Sequence, residues 1–162
     1  MKTPLYRQAP PNHLWQNDKL DKLTVEERLL YNYYFTCPHM NLMGYYKLSP
    51  GYILSDIPQF KTLEQINSMA SKLEELELIK TNTEHKTILL CQYILHCPFQ
   101  NPKVIKNASQ KLIYSVPPTE LDELFISDIE TLKKQKEKEN EEGNANYIQG
   151  LSELIEAVRS RV

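Results

Sequence analysis

The stretch TLEQINSMASKLEELELIKTNTEHKTILLC, residues 62–91, decides the fold. It opens on Thr62-x-x-Gln65, the pattern of a capping box. There the hydroxyl accepts from the third amide of a helix and the longer side chain reaches back. Leu63, Ile66, Met69 or Ala70, Leu73 and Leu76 then recur every three or four residues, the apolar stripe of an amphipathic helix. Leu78-Ile79-Lys80 and the run Thr87 to Cys91 are strand-like, and the polar segment Asn82 to Lys86 between them reads as a hairpin turn.

Upstream, Thr24-x-x-Glu27 is a second capping box, and Leu29, Leu30, Tyr33 and Tyr34 continue it at helical spacing before Pro38. Gly44 to Leu48 reads as a short strand. Ser49-Pro50 opens a short helix that must end before Pro58, since proline suits a first helical turn and not an interior. Helix, strand, short helix, capped helix and hairpin is the order of a winged helix, in which the third helix faces the DNA major groove. The expected class is α+β, mostly α: a winged helix-turn-helix followed by C-terminal helices. The chain divides into an N-terminal arm (1–17), a winged-helix domain (18–118) and a helical appendage (119–162). The stripe of the third helix should pack on Leu29, Leu30 and Tyr33.

With 162 residues the chain suits one domain with an appendage. A formal charge of −2 excludes a uniformly basic coat, so nucleic-acid binding would need a local patch. Four Gly against ten Pro argue against glycine-rich phosphate loops. No apolar run approaches the roughly 18 residues of a membrane span. Lys2 and Arg7 stand near the N-terminus without an apolar segment behind them, so no signal peptide is expected. Three scattered Cys point to a reducing cytoplasm rather than a disulfide framework.

Three segments resemble the phage replisome-organiser proteins related to DnaD. They are Trp15-Gln16-Asn17-Asp18 with Leu23-Thr24 and Leu29-Leu30-Tyr31, then Thr36 to Tyr46, and then Gln92 to Val104. The second is similar to that family's TNPHTNxxGxY turn and strand, and the third to its hNPxxNPxV segment after the wing. The resemblance spans residues 13–118. It implies a winged-helix, DNA-binding module of phage or mobile-element replication initiation, in a bacterial host's cytoplasm, with a host or phage replication protein as a further partner. Cys37 and Cys97 depart from the family by standing where it shows Asn. Longer members continue into a second helical domain, and only 44 residues follow Pro118, so a complete initiator role is not implied.

On the third helix, Gln65, Asn67, Ser68, Ser71 and Lys72 form the expected DNA-reading face. Asn and Gln pair bidentately with adenine, and Ser bonds to base edges or phosphate. Glu64, Glu74 and Glu75 on the same helix repel phosphate and favour a plain solvated face. Lys80 and Lys86 flank the wing. Residues 101–118 carry three lysines, Lys103, Lys106 and Lys111, and no acid, which suits backbone contact, although charge alone favours a solvated helix face. Residues 119–143 follow with nine acidic and four basic side chains.

The rival class is a winged helix used as a protein-interaction scaffold, supported by the net charge, the acidic 119–143 segment and an expected tyrosine-rich surface. A continuous positive strip over the third helix and wing would favour double-stranded DNA. A neutral or acidic third-helix face would favour the scaffold.

The sequence holds no GxGxxG, Walker, G-x-S-x-G or HExxH motif, so no catalytic residues and no cofactor are expected. Cys37 with His39, and His96 with Cys97, are four donors that tetrahedral zinc would accept, but they lack C-x₂-C spacing. Buried structural Cys and two surface His are the expected reading, with no metal site.

In the appendage a helix should start at Pro117-Pro118-Thr119-Glu120 and carry Leu121, Leu124, Phe125, Asp128, Ile129 and Leu132 at helical spacing. Gly143 and its neighbours turn the chain. Tyr147, Ile148, Leu151, Leu154, Ile155 and Val158 then form a second stripe, like a heptad seam. So short a helix must be covered; pairing with a second copy in a homodimer is the expected arrangement, and folding back on the preceding helix as a hairpin is the alternative.

Overall fold

The computed structural model describes residues 14–139 and 142–161. A 3₁₀ turn at Asp18–Lys22 precedes α1 (Val25–Thr36), β1 (Tyr45–Lys47), α2 (Pro50–Asp56), α3 (Leu63–Glu75), β2 (Ile79–Asn82) and β3 (Thr87–Leu90). Helices α4 (Tyr93–His96), α5 (Pro102–Ser115), α6 (Leu121–Glu139) and α7 (Asn144–Arg159) complete the chain. The protein is thus mostly helical, with one small antiparallel sheet of order β1-β3-β2. The expected arm carrying Lys2 and Arg7 lies outside the described residues as far as residue 13.

Local chemistry sets the boundaries. Thr24 closes a full capping box: its Oγ1 accepts from the Glu27 amide at 3.2 Å and Glu27 accepts from the Thr24 amide at 2.8 Å. The second box is only half made. Thr62 Oγ1 accepts from the Gln65 amide at 3.1 Å, but Gln65 Oε1 accepts from Lys61 N at 3.0 Å, one residue short of the cap. Asn41 folds the entry to β1, its Oδ1 accepting from Met43 N at 2.9 Å and its Nδ2 donating to Tyr45 O at 2.6 Å. Gly44 then takes φ +66°, and a Cβ there would lie 2.7 Å from the Tyr93 ring. Asn101 caps α5 by accepting from Val104 N at 3.0 Å, with Pro102 at the first helical position.

The two motifs that carry the family resemblance after α1 therefore meet in space. Gly44 touches Tyr93, and Leu90 N donates to Gly44 O at 2.8 Å. Their Asn, Gly and Pro residues form turns, a close approach and a helix cap.

Ile66, Met69 and Leu73 of α3 are buried, as are Leu30 and Tyr33 of α1, and the two helices pack together. Two expected core residues are not core. Leu63 is 49% exposed and Leu29 41% exposed, and Leu76 is only half-buried. Leu63 is the first residue of α3, where the helix has not yet come against α1, and it lines a cleft instead. Seven of the ten tyrosines are buried (Tyr31, Tyr33, Tyr34, Tyr45, Tyr46, Tyr93 and Tyr147), so the tyrosines supply core rather than the expected surface. Tyr46 OH donates to Tyr34 O at 2.6 Å, and burial raises the Tyr46 phenol well above its ordinary pKa.

The C-terminal stripe is covered within the chain. Tyr147, Leu151, Leu154, Ile155 and Val158 are buried where α7 packs on α5 and α6. The expected pairing of this seam with a second copy is not what covers it: the fold-back is the arrangement observed, because α5 and α6 already bury the α7 stripe. The buried residues run without a break from residues 18–118 into α6 and α7. In α6, Phe125, Ile129 and Leu132 face this core as expected, whereas Leu124 is exposed.

Arg161 clamps the end of α7. Its Nε donates to Asp122 Oδ2 at 2.9 Å, Nη2 bonds Asp122 Oδ1, and Nη1 donates to Val116 O at 2.7 Å and Leu112 O at 3.3 Å. Tyr45 OH donates to Asp122 Oδ1 at 2.7 Å, so this one carboxylate ties the sheet, α6 and the chain end together.

Candidate functional site

The expected DNA-reading residues lie on α3, and the half-made cap and the packing of α3 on β2 decide how each is presented. Asn67, Ser68 and Ser71 are exposed on the face opposite Ile66, Met69 and Leu73. Ser71 Oγ donates back to Asn67 O at 3.0 Å, the ordinary resting bond of a helical serine. Gln65 is half-buried and already accepts from Lys61 N. Lys72 Nζ pairs with Glu75 at 3.5 Å, a surface bridge of at most about 1 kcal/mol. Glu74 turns inward, where its Oε1 accepts from Thr81 N at 2.6 Å and from Thr81 Oγ1 at 2.7 Å. Over its whole length α3 carries Glu64, Glu74 and Glu75 against Lys72 alone. A positive strip along this helix, expected if it follows phosphate, is not there.

The wing residues separate in the same way. Lys80 is half-buried and its Nζ donates to Glu74 O at 3.4 Å. Lys86 sits in the hairpin turn at φ +53° and is exposed. Its carbonyl accepts from Leu48 N at 2.7 Å, which fixes the turn against the end of β1. On the other side Asn82 Nδ2 donates to both Glu120 oxygens, at 3.0 and 2.8 Å. These bonds hold the Glu120 carboxyl below its ordinary pKa, with the charge of His85 adding to the effect.

The three lysines of residues 101–118 do not join this face. Lys103 and Lys106 line a groove between α5 and α7 together with Asn146, Gln149 and Glu153. Lys111 borders a different cavity of about 510 Å³, with Met40, Met43 and Tyr114. Sequence proximity suggested one basic band, but the folding of α7 onto α5 divides it.

Asn67 and Lys86 do come together. They line a cleft of about 460 Å³ between α2, α3 and the hairpin. Leu48, Ile53, Leu54 and Ile66 form apolar walls, and the exposed Leu63 stands in its lining. Lys86 is the one charged side chain lining it among the described residues. Thr87 also lines the cleft and is 2% exposed, and its Oγ1 has no hydrogen-bond partner among the described residues. The sequence pattern signalled neither the cleft nor the threonine, and it read Leu63, which stands in the lining, as core.

The four suspected zinc donors are held by separate contacts. Cys37 is buried with Sγ 3.7 Å from Tyr46 OH, His39 stacks at 4.3 Å on the Tyr52 ring, Cys97 is buried and His96 is exposed. No three His, Cys, Asp or Glu side chains among the described residues stand close enough to share a metal ion. None of the three cysteines is in a disulfide. No helix among the described residues is long and apolar enough to cross a membrane.

Comparison with protein-family models, curated proteins and solved structures returned no match to this chain.

Proposed function

We propose that residues 18–118 form a winged helix whose α3–hairpin cleft docks another protein chain, in the replication apparatus of a phage or mobile element. The winged-helix reading is supported by the element order α1-β1-α2-α3-β2-β3 and the sheet order β1-β3-β2. The observation that carries the choice of partner is the scarcity of cations on α3, whose one ammonium, Lys72, is already paired with Glu75. Phosphate-tracking surfaces are cationic, whereas protein interfaces centre on apolar, charge-poor patches such as this cleft. The assignment to replication, and to a bacterial cytoplasm, rests on the three sequence segments that resemble replisome organisers. Exposed Ile113, Tyr114 and Leu124 lie elsewhere on the chain and are not needed for this role.

Double-stranded DNA is the second reading, favoured by the exposed Asn67, Ser68 and Ser71 beside Lys86. With so few cations, its affinity would depend on base contacts at about 1–3 kcal/mol each. A photo-crosslinking residue at Ser68, with Ser127 on α6 as control, separates the two. An adduct at Ser68 that protease removes and nuclease does not supports the protein partner. A nuclease-sensitive adduct supports DNA.

A further inference from the structure

We infer that the docking segment recognised by the α3–hairpin cleft is acidic and aliphatic: leucine-type side chains enter the cleft, and a carboxylate beside them meets Lys86. This rests on the protein-docking reading and names the chemistry of the partner. Three observations fix that chemistry. The walls, including Leu48, Ile53 and Ile66, are apolar, and about 460 Å³ lies within the range of built ligand pockets, roughly 300–1,000 Å³. The single charge in the lining among the described residues is the Lys86 ammonium, so a cationic occupant is disfavoured and an anionic one gains. The Thr87 hydroxyl is buried without a partner among the described residues, a loss that a polar group of the occupant can repair.

A peptide suits the site better than a small amphiphile. The lining is drawn from α2, α3 and both arms of the hairpin, so a peptide segment can meet all three elements at once. The hairpin side of the cleft is braced by the Leu48–Lys86 backbone bond, so the ammonium is carried on a fixed turn.

The test uses the full chain and three 14-residue helical peptides. One carries Leu at i, i+3, i+4 and i+7 with flanking Glu, the second has Lys for Glu, and the third has Ser for Leu. Affinities are read by fluorescence anisotropy and the site by amide shifts at Asn67, Lys86 and Thr87. The Glu peptide should bind about tenfold tighter than the Lys peptide, and the Ser peptide should not bind. Lys86→Glu should reverse the preference, and Thr87→Val should weaken the Glu peptide while leaving the fold at least as stable. If the Lys peptide binds the cleft equally well or better, the acidic chemistry is wrong and the docking reading stands. If octanoate shifts the same amides and no peptide does, the site takes a small amphiphile and the inference fails. If no peptide binds and duplex DNA shifts these amides, both the inference and the docking reading fail.

Discussion

Arg161→Met tests how the C-terminal helices are held. The guanidinium pairs with Asp122, and both side chains are nearly buried, at 8% and 3% exposure. The substitution leaves the Asp122 carboxylate with Tyr45 OH and no cation. It also strips the donor from Val116 O just past the end of α5, where helical carbonyls lack partners of their own, and a second donor from Leu112 O, which keeps the Val116 amide. Breaking one side of a buried pair costs about 3–5 kcal/mol. Native stabilities are about 5–15 kcal/mol, so the loss is a large part of the whole. For a chain of this size about 1 kcal/mol moves Tm by 2–4 °C, so Tm should fall by roughly 6–20 °C. Urea unfolding at pH 7, followed by circular dichroism, gives the free energy. Adding Asp122→Asn to Arg161→Met should recover part of the loss, because the uncompensated charge goes. A loss below about 1 kcal/mol for Arg161→Met would show that the clamp is not formed in solution.

Gly44→Ala should destabilise by about 2–5 kcal/mol, combining left-handed backbone strain with overpacking, because the new Cβ would meet the root of the Tyr93 ring. A loss under about 1 kcal/mol in the same urea assay would mean that the β1 turn and α4 do not touch. Thr87→Val should raise stability by about 1 kcal/mol, since a buried hydroxyl without a partner is replaced by a methyl of similar shape; a measured loss would mean that the hydroxyl has a partner. Burial first, and then the Asp128 carboxylate, push the Cys91 thiol up to about 11. At pH 8 a disulfide reagent should therefore label Cys91 about a hundredfold more slowly than an ordinary exposed thiol, and labelling at the ordinary rate would contradict its burial.

The sequence made the element order legible because each boundary is written locally. Thr24 and Thr62 cap, Pro50 starts a helix, Gly143 turns the chain, and stripes at helical spacing run between them, whereas the short α4 and the start of α5 at Pro102 were not read. The candidate site was less legible, because it depends on which charges meet across elements. Glu74 looked like a phosphate-repelling surface acid but accepts two bonds from Thr81. Lys103, Lys106 and Lys111 looked like one band until α7 packed on α5. Leu63 looked like core because periodicity does not say where the neighbouring helix ends. The α7 stripe was read correctly as apolar, but the reading favoured a second copy over the chain's own α5 and α6, because heptad-like spacing does not say which surface covers it.

The central claim is that the α3–hairpin face docks protein and not phosphate. Binding of the full chain to a random 20-base-pair duplex, by fluorescence anisotropy between 50 and 200 mM salt, tests it most directly. With Lys86 as the only charged residue in the cleft among the described residues and Lys72 of α3 paired with Glu75, no saturable binding should occur at tens of micromolar protein. Each neutralised phosphate contributes a slope of about 0.9, so a slope of about 3 or more together with micromolar affinity, lost in Lys86→Glu, would place DNA on this face and contradict the account.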